Sequence, residues 1–124
     1  MKPKLDPLGK PCGSDEAFVT SLYESILHRK PDRAGFGNNL GLLQQGTSRE
    51  AIYRRFFSSE EYTSKHKSAK AFLEDAYRAI LARPPDASGM DLWLGRMQRG
   101  VSRRDVINGL LSSPEFKQIR SGCS

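Results

Sequence analysis

Cysteine, histidine and tryptophan are scarce in this chain of 124 residues, which contains two cysteines, two histidines and one tryptophan. His28 and His66 lie in different segments without a partner at metal-ligand spacing, which argues against a zinc site and favours solvated residues at helix ends. No apolar run approaches the roughly 18 residues that a membrane span needs. The first residues also lack the apolar stretch of a signal peptide. We therefore expect no metal, no membrane span and no signal peptide in this chain.

Sequence patterns that accompany catalysis are missing as well. There is no P-loop and no nucleophile elbow, and the segment 35–41 misses the spacing of a dinucleotide loop by one position. The acidic residues Asp86 and Asp91 offer too few oxygen ligands for a calcium loop. We therefore expect a protein that is not an enzyme and that carries no cofactor.

An internal repeat dominates the sequence. When residues 17–62 are placed over residues 71–116, a shift of 54 positions, 18 of the 46 aligned pairs are identical and no gap is needed. The repeat predicts five segments: an N-terminal extension (1–13), helical repeat 1 (14–62), a basic connector (63–70), helical repeat 2 (71–116) and a C-terminal tail (117–124).

Each repeat has the pattern of about four helices. Apolar residues recur near every 3.6 positions from Phe18 to Leu27 and again from Phe72 to Leu81, and no stretch alternates for long enough to form a strand. Residues that suit helix N-caps precede the apolar segments: Ser14, Asp32, Ser48, Asp86 and Ser102. Ser-x-x-Glu sequences predict capping boxes at Ser58 and Ser112. We predict an all-α fold, a tandem duplication packed into one compact helical domain.

Charge argues against a nucleic-acid partner. The chain carries a net charge of +6, but the aligned residues 17–62 sum to +1 and residues 71–116 to zero, so the excess lies in the connector and the tail. A duplex-binding module normally collects its basic residues on a recognition face. We expect the connector lysines to form a solvated surface and the chain to bind no specific nucleic acid.

Several residues that occur in both repeats are candidates for a structural or binding role. We expect Arg29 and Arg83 to hold helix-end carbonyls and a glutamate of the same repeat, and Gly35 and Gly89 to allow close backbone packing. Arg49 and Arg103 each follow an N-cap serine, where a cation opposes the helix dipole. Their acidic partner is either internal, such as Asp32 or Asp86, or an external anionic group on a glycan or protein.

The residues from Phe18 to Gly35, and their copy around Arg83-Pro84-Pro85-Asp86, resemble the bacterial domain family DUF4214. The resemblance implies a helical fold similar to phycobilisome linker domains, and an occurrence in secreted, surface-layer and polysaccharide-associated bacterial proteins. One departure from the family pattern is Asn39, which stands where repeat 2 has Trp93. Trp93 is either part of the core or a platform on which a sugar stacks.

From these features we expect a non-catalytic interaction or scaffolding module of an exported or cell-envelope protein, whose partner is a protein or a glycan. The alternative is a carbohydrate-binding accessory module for surface polysaccharide. Cys12 and Cys123 flank the repeats, and the export that the family resemblance implies favours a disulfide between them over two free thiols. A groove exposing both Trp93 and Arg103 would favour the carbohydrate hypothesis.

Overall fold

Helices form all of the regular structure in the part of the chain that the computed structural model describes, residues 14–123 with side chains up to residue 118. The predicted all-α class is confirmed. The elements, in chain order, are α1 (Asp15–Leu22), a π-helical turn (Tyr23–Leu27), α2 (Arg33–Gln44), α3 (Arg49–Phe57), α4 (Glu60–Thr63), α5 (Ala69–Leu81), α6 (Ala87–Gln98), α7 (Arg103–Leu111) and α8 (Pro114–Cys123).

Short polar side chains begin nearly every helix by accepting a hydrogen bond from the backbone N–H three residues ahead. Asp32 does so at the start of α2 and Asp86 at the start of α6. The other N-caps of this kind are Ser14, Ser48, Ser59, Ser68 and Ser102. The caps predicted at Ser14, Ser48, Ser102 and the two aspartates are confirmed.

The predicted capping boxes are wrong. Ser59, not Ser58, caps α4, and Ser113, not Ser112, accepts the N–H of Phe116 in α8. The glutamates of those sequences bind arginines, as described below. A capping box forms instead at α7, where Ser102 and Asp105 bond to each other's backbone N–H.

A single hydrophobic core joins the two repeats. Aromatic rings meet edge to face across them, with 5.8 Å between the centroids of Phe57 and Phe72 and 6.0 Å between those of Tyr53 and Phe116. The largest fully buried side chains come from both repeats: Val19, Leu22, Ile26, Ile52, Phe72, Leu73, Ile80 and Val106. The predicted compact packing of the helices is therefore confirmed.

Two predicted boundaries differ from the helices observed. The predicted tail begins at residue 117, but helix α8 continues to Cys123. The predicted connector extends to residue 70, but Ser68 already caps α5, so the segment between the repeats is shorter than predicted. The extension 1–13 and the side chains of Cys12 and Cys123 lie outside the described residues. Within those residues, no helix combines the length and the apolar character that crossing a membrane requires.

Candidate functional site

In each repeat an arginine binds a glutamate 32 residues further along the chain, and we call this pair the arginine clamp. Arg29 donates through Nε and a terminal nitrogen to both carboxylate oxygens of Glu61 at 2.8 Å, and it also bonds to the carbonyl of Lys30 and to Asp32. Arg83 binds Glu115 in the same way, at 2.9 to 3.1 Å. The predicted pairing of these arginines with the glutamates of their own repeats is confirmed.

Electrostatics around the clamp in repeat 1 follow from these contacts. The hydrogen bond from Arg29 holds the pKa of Glu61 below its ordinary value. The backbone N–H of Gly35 lowers the pKa of Asp32, and Arg29 adds to that effect. Hydrogen-bond donors of this chain therefore stabilise the ionised form of both carboxylates.

Beside each clamp, the hydroxyl of a tyrosine lies close to a glycine inside a helix. A Cβ placed on Gly35 would overlap the Tyr23 hydroxyl, and one on Gly89 would lie 3.0 Å from the Tyr77 hydroxyl. The guanidinium groups lie 5.0 and 5.4 Å from the centroids of the same tyrosine rings. The two glycines therefore allow a close approach, as predicted, but the group that approaches is a tyrosine side chain and not another backbone segment.

The predicted internal acidic partner exists for Arg49, but the residues named as examples, Asp32 and Asp86, are wrong. Arg49 pairs with Asp15, 3.0 Å away, and not with Asp32, because Asp15 in the first turn of α1 faces the start of α3. Arg103 lies over the ring of Phe72 and donates to the backbone carbonyl of Lys67. It contacts these two residues and not Asp86. Both guanidiniums are engaged internally.

Trp93 is partly buried and packs against the core. The edge of its ring lies above Gly109, where an added Cβ would be 2.8 Å from the indole, and the Arg96 guanidinium lies 4.9 Å from the ring centroid. Arg103 contacts Phe72 and Lys67 instead, so the two residues proposed for a shared sugar groove have separate neighbours. Burial raises the pKa of the Tyr77 hydroxyl, and the neighbouring Trp93 side chain opposes that shift.

Asn39 takes the place of Trp93 in repeat 1. Its side-chain amide donates to the Tyr23 hydroxyl at 3.4 Å and to the carbonyl of Gly35 at 2.9 Å. In the two repeats different side chains, an amide and an indole, thus lie beside the equivalent tyrosine. The smaller amide leaves a pocket of about 240 Å³ beside it, which Arg55 and Phe56 also line.

Asp75 is the centre of a polar cluster that we did not predict. Its buried carboxylate accepts hydrogen bonds from Tyr62 at 2.8 Å and Lys67 at 2.6 Å, and it bonds to His28 at 2.8 Å. Burial, followed by the hydrogen bond to Asp75, raises the pKa of Tyr62. One signal was available: Asp75 and its equivalent, Ser21, are both polar residues within an apolar helix face.

This cluster changes the interpretation of two predicted surface features. His28 was expected to be a solvated helix-end residue, but it contacts a buried carboxylate although half of its side chain is exposed. The connector lysines were expected to form a solvated surface, but Lys67 reaches Asp75 and Lys65 donates to the carbonyl of Leu27. Among the described residues, no group of acidic, histidine or cysteine side chains is arranged to hold a metal ion.

Comparison with known proteins gives one match. No curated protein and no solved structure matches the chain. A family model described as a domain of unknown function, DUF4214, matches twice, over residues 9–66 and 53–119. These two overlapping matches span most of the sequence, and the chain therefore belongs to the DUF4214 family.

Proposed function

We propose that this chain is a non-catalytic interaction or scaffolding module of an exported or cell-envelope bacterial protein. The observation that supports the proposal is that the polar residues common to both repeats bind other residues of this chain. The arginine clamps and the aspartate caps make equivalent contacts inside both repeats. Because these contacts stabilise the fold, binding falls to the exposed residues in which the repeats differ.

A carbohydrate-binding accessory module is the second candidate, and a specific observation favours it. Asn39 is only 6% exposed, lines the pocket of repeat 1 and carries a side-chain oxygen without a hydrogen-bond partner. A buried acceptor of this kind is costly unless a donor reaches it. A hydroxyl group of a sugar supplies such a donor, so this pocket replaces Trp93 as the basis for the carbohydrate hypothesis.

The test is a saturation experiment with the purified chain immobilised on a resin. Increasing amounts of solubilised envelope from the bacterium that encodes the chain are passed over it, and retained protein and polysaccharide are quantified. A helical protein of equal size and net charge is the control. We expect saturable retention of one component, chemically unchanged, above the control. Retention equal to the control, or conversion of the retained component, would overturn the proposal.

A further inference from the structure

At one pair of facing positions the two repeats carry different residues, and a pocket lies beside this pair in repeat 1. Repeat 2 has Trp93 and Gly109, and the indole fills the space above the glycine. Repeat 1 has Asn39 and Arg55 at the equivalent positions, and both line the pocket of about 240 Å³. Repeat 2 thus shows how this fold closes the site, and repeat 1 leaves it accessible.

The orientation of the Asn39 amide is set by its neighbours. Its nitrogen must face the carbonyl of Gly35, because the opposite orientation would place two acceptor oxygens together. Oδ1 is therefore directed away from that carbonyl and has no partner within the described residues. Its missing partner is an N–H or O–H donor.

Other groups around the pocket are free to bind a ligand. In the described part of the chain, the side chains of Asn38, Gln45 and Arg55 make no hydrogen bond or ion pair, whereas Asp32 and Glu61 are both held by Arg29. The pocket therefore offers amides and one unpaired cation. Both carboxylates of the lining are hydrogen-bonded to the same residue, Arg29, which leaves the Arg55 guanidinium without an ion pair among the described residues.

A second depression continues the first along α2. It has a volume of about 480 Å³, shares Asn38 and Arg55 with the pocket, and ends at Gln45. Gly37 and Gly41 also line it, and a Cβ on either would meet nothing within 4 Å. We call the two depressions together the α2 groove. The deeper part holds the volume of roughly eight water molecules, which suits one sugar ring.

We propose that the α2 groove binds an acidic polysaccharide, with Asn39 accepting a ring hydroxyl and Arg55 holding a carboxylate of the sugar. This proposal rests on the proposed interaction function and names its partner. Planar amide and guanidinium groups bond to hydroxyls and carboxylates, which occur together along a polyuronate. An acidic peptide fits less well, because peptide sites use a sheet edge, an apolar groove or an arginine cluster.

The test measures binding of a short oligogalacturonate to the full chain by isothermal titration calorimetry, with a neutral galactose oligomer as the control ligand. We expect the acidic oligomer to bind and the neutral one to bind more weakly. Arg55→Ala should weaken binding about tenfold or more, because a hydrogen bond to a charged group is lost. Arg104→Ala, which removes an equal charge at an exposed site of repeat 2, should leave binding unchanged.

A double substitution copies repeat 2 into repeat 1. Asn39→Trp with Arg55→Gly should fill the pocket and abolish binding while circular dichroism shows an unchanged helical content. Equal weakening by Arg55→Ala and Arg104→Ala would overturn the proposal, since it would indicate unspecific charge attraction. Competition by poly-glutamate at equal strength would overturn it in favour of an acidic protein. If the oligogalacturonate fails to bind but the envelope component is still retained, the groove assignment fails and the interaction function stands.

Discussion

Gly35 and Gly95, both inside helices, have opposite surroundings. A Cβ on Gly35 would overlap the Tyr23 hydroxyl, whereas one on Gly95 would meet nothing within 4 Å. We expect Gly35→Ala to lower the free energy of unfolding by about 1–3 kcal/mol through overpacking. Gly95→Ala should raise it by about 0.5–1 kcal/mol, because alanine loses less backbone entropy in a helix. Urea denaturation measures both, and similar shifts of the same sign would contradict the packing argument.

Single residues also show where sequence reasoning stops. The caps at Asp32 and Asp86 were predictable because each joins residues only three positions apart, and the clamp was predictable because its arginine and glutamate occur in both repeats. The similar placement of Asn39 and Trp93 was not predictable, because an amide and an indole have little in common except an N–H group. Only their common tyrosine partner shows the equivalence.

At the scale of helices, the clamp of Arg29 and Glu61 ties the end of the π-helical turn to α4. Since the pKa of Glu61 is lowered in the folded protein, its contribution to stability is present above its ordinary pKa. That contribution is lost as the pH falls through the lowered value. We therefore expect the urea midpoint to fall on acidification from about pH 5 to about pH 3.

Glu61→Gln should flatten this acid dependence, because the variant has no carboxylate to protonate at that position. The control is Glu60→Gln, an exposed neighbour whose side chain makes no ion pair within the described residues. The slope of the midpoint against pH should match the unmodified chain for the control and be smaller for Glu61→Gln. Identical slopes in all three proteins would show that the clamp does not link protonation to folding.

Helix boundaries were predicted less well than helix existence, for a physical reason. An apolar stripe specifies which face is buried, but the end of a helix depends on which neighbour binds its terminal groups. At α4, Glu61 is bound by an arginine 32 residues away, so Ser59 and not Ser58 forms the cap. Such a competition between a local and a distant partner has no periodic signature in the sequence.

For the molecule as a whole, the Asp75 cluster fastens the second repeat to the first. Asp75→Ala would leave Tyr62 and Lys67 without their buried acceptor, and we expect it to cost about 1.5–3 kcal/mol of stability. Ser21→Ala is the matched control, because Ser21 occupies the equivalent position but bonds only to the carbonyl of Phe18. Urea denaturation should show the larger loss for Asp75→Ala, and equal losses would refute the fastening role.

This cluster also gives the duplication a direction. The cluster residues of the internal junction have equivalents in the other repeat that reproduce none of its contacts: Ser21 for Asp75, Ala82 for His28 and Phe116 for Tyr62. Two units that began as copies can therefore join in one order only. In a circular permutant with the two repeats exchanged, Phe116 and Ala82 would face Ser21, and the contacts of the Asp75 cluster would be lost. A further unit packed against Ser21 of repeat 1, or against Ala82 and Phe116 of repeat 2, would not meet the groups that bind Asp75 at the internal junction.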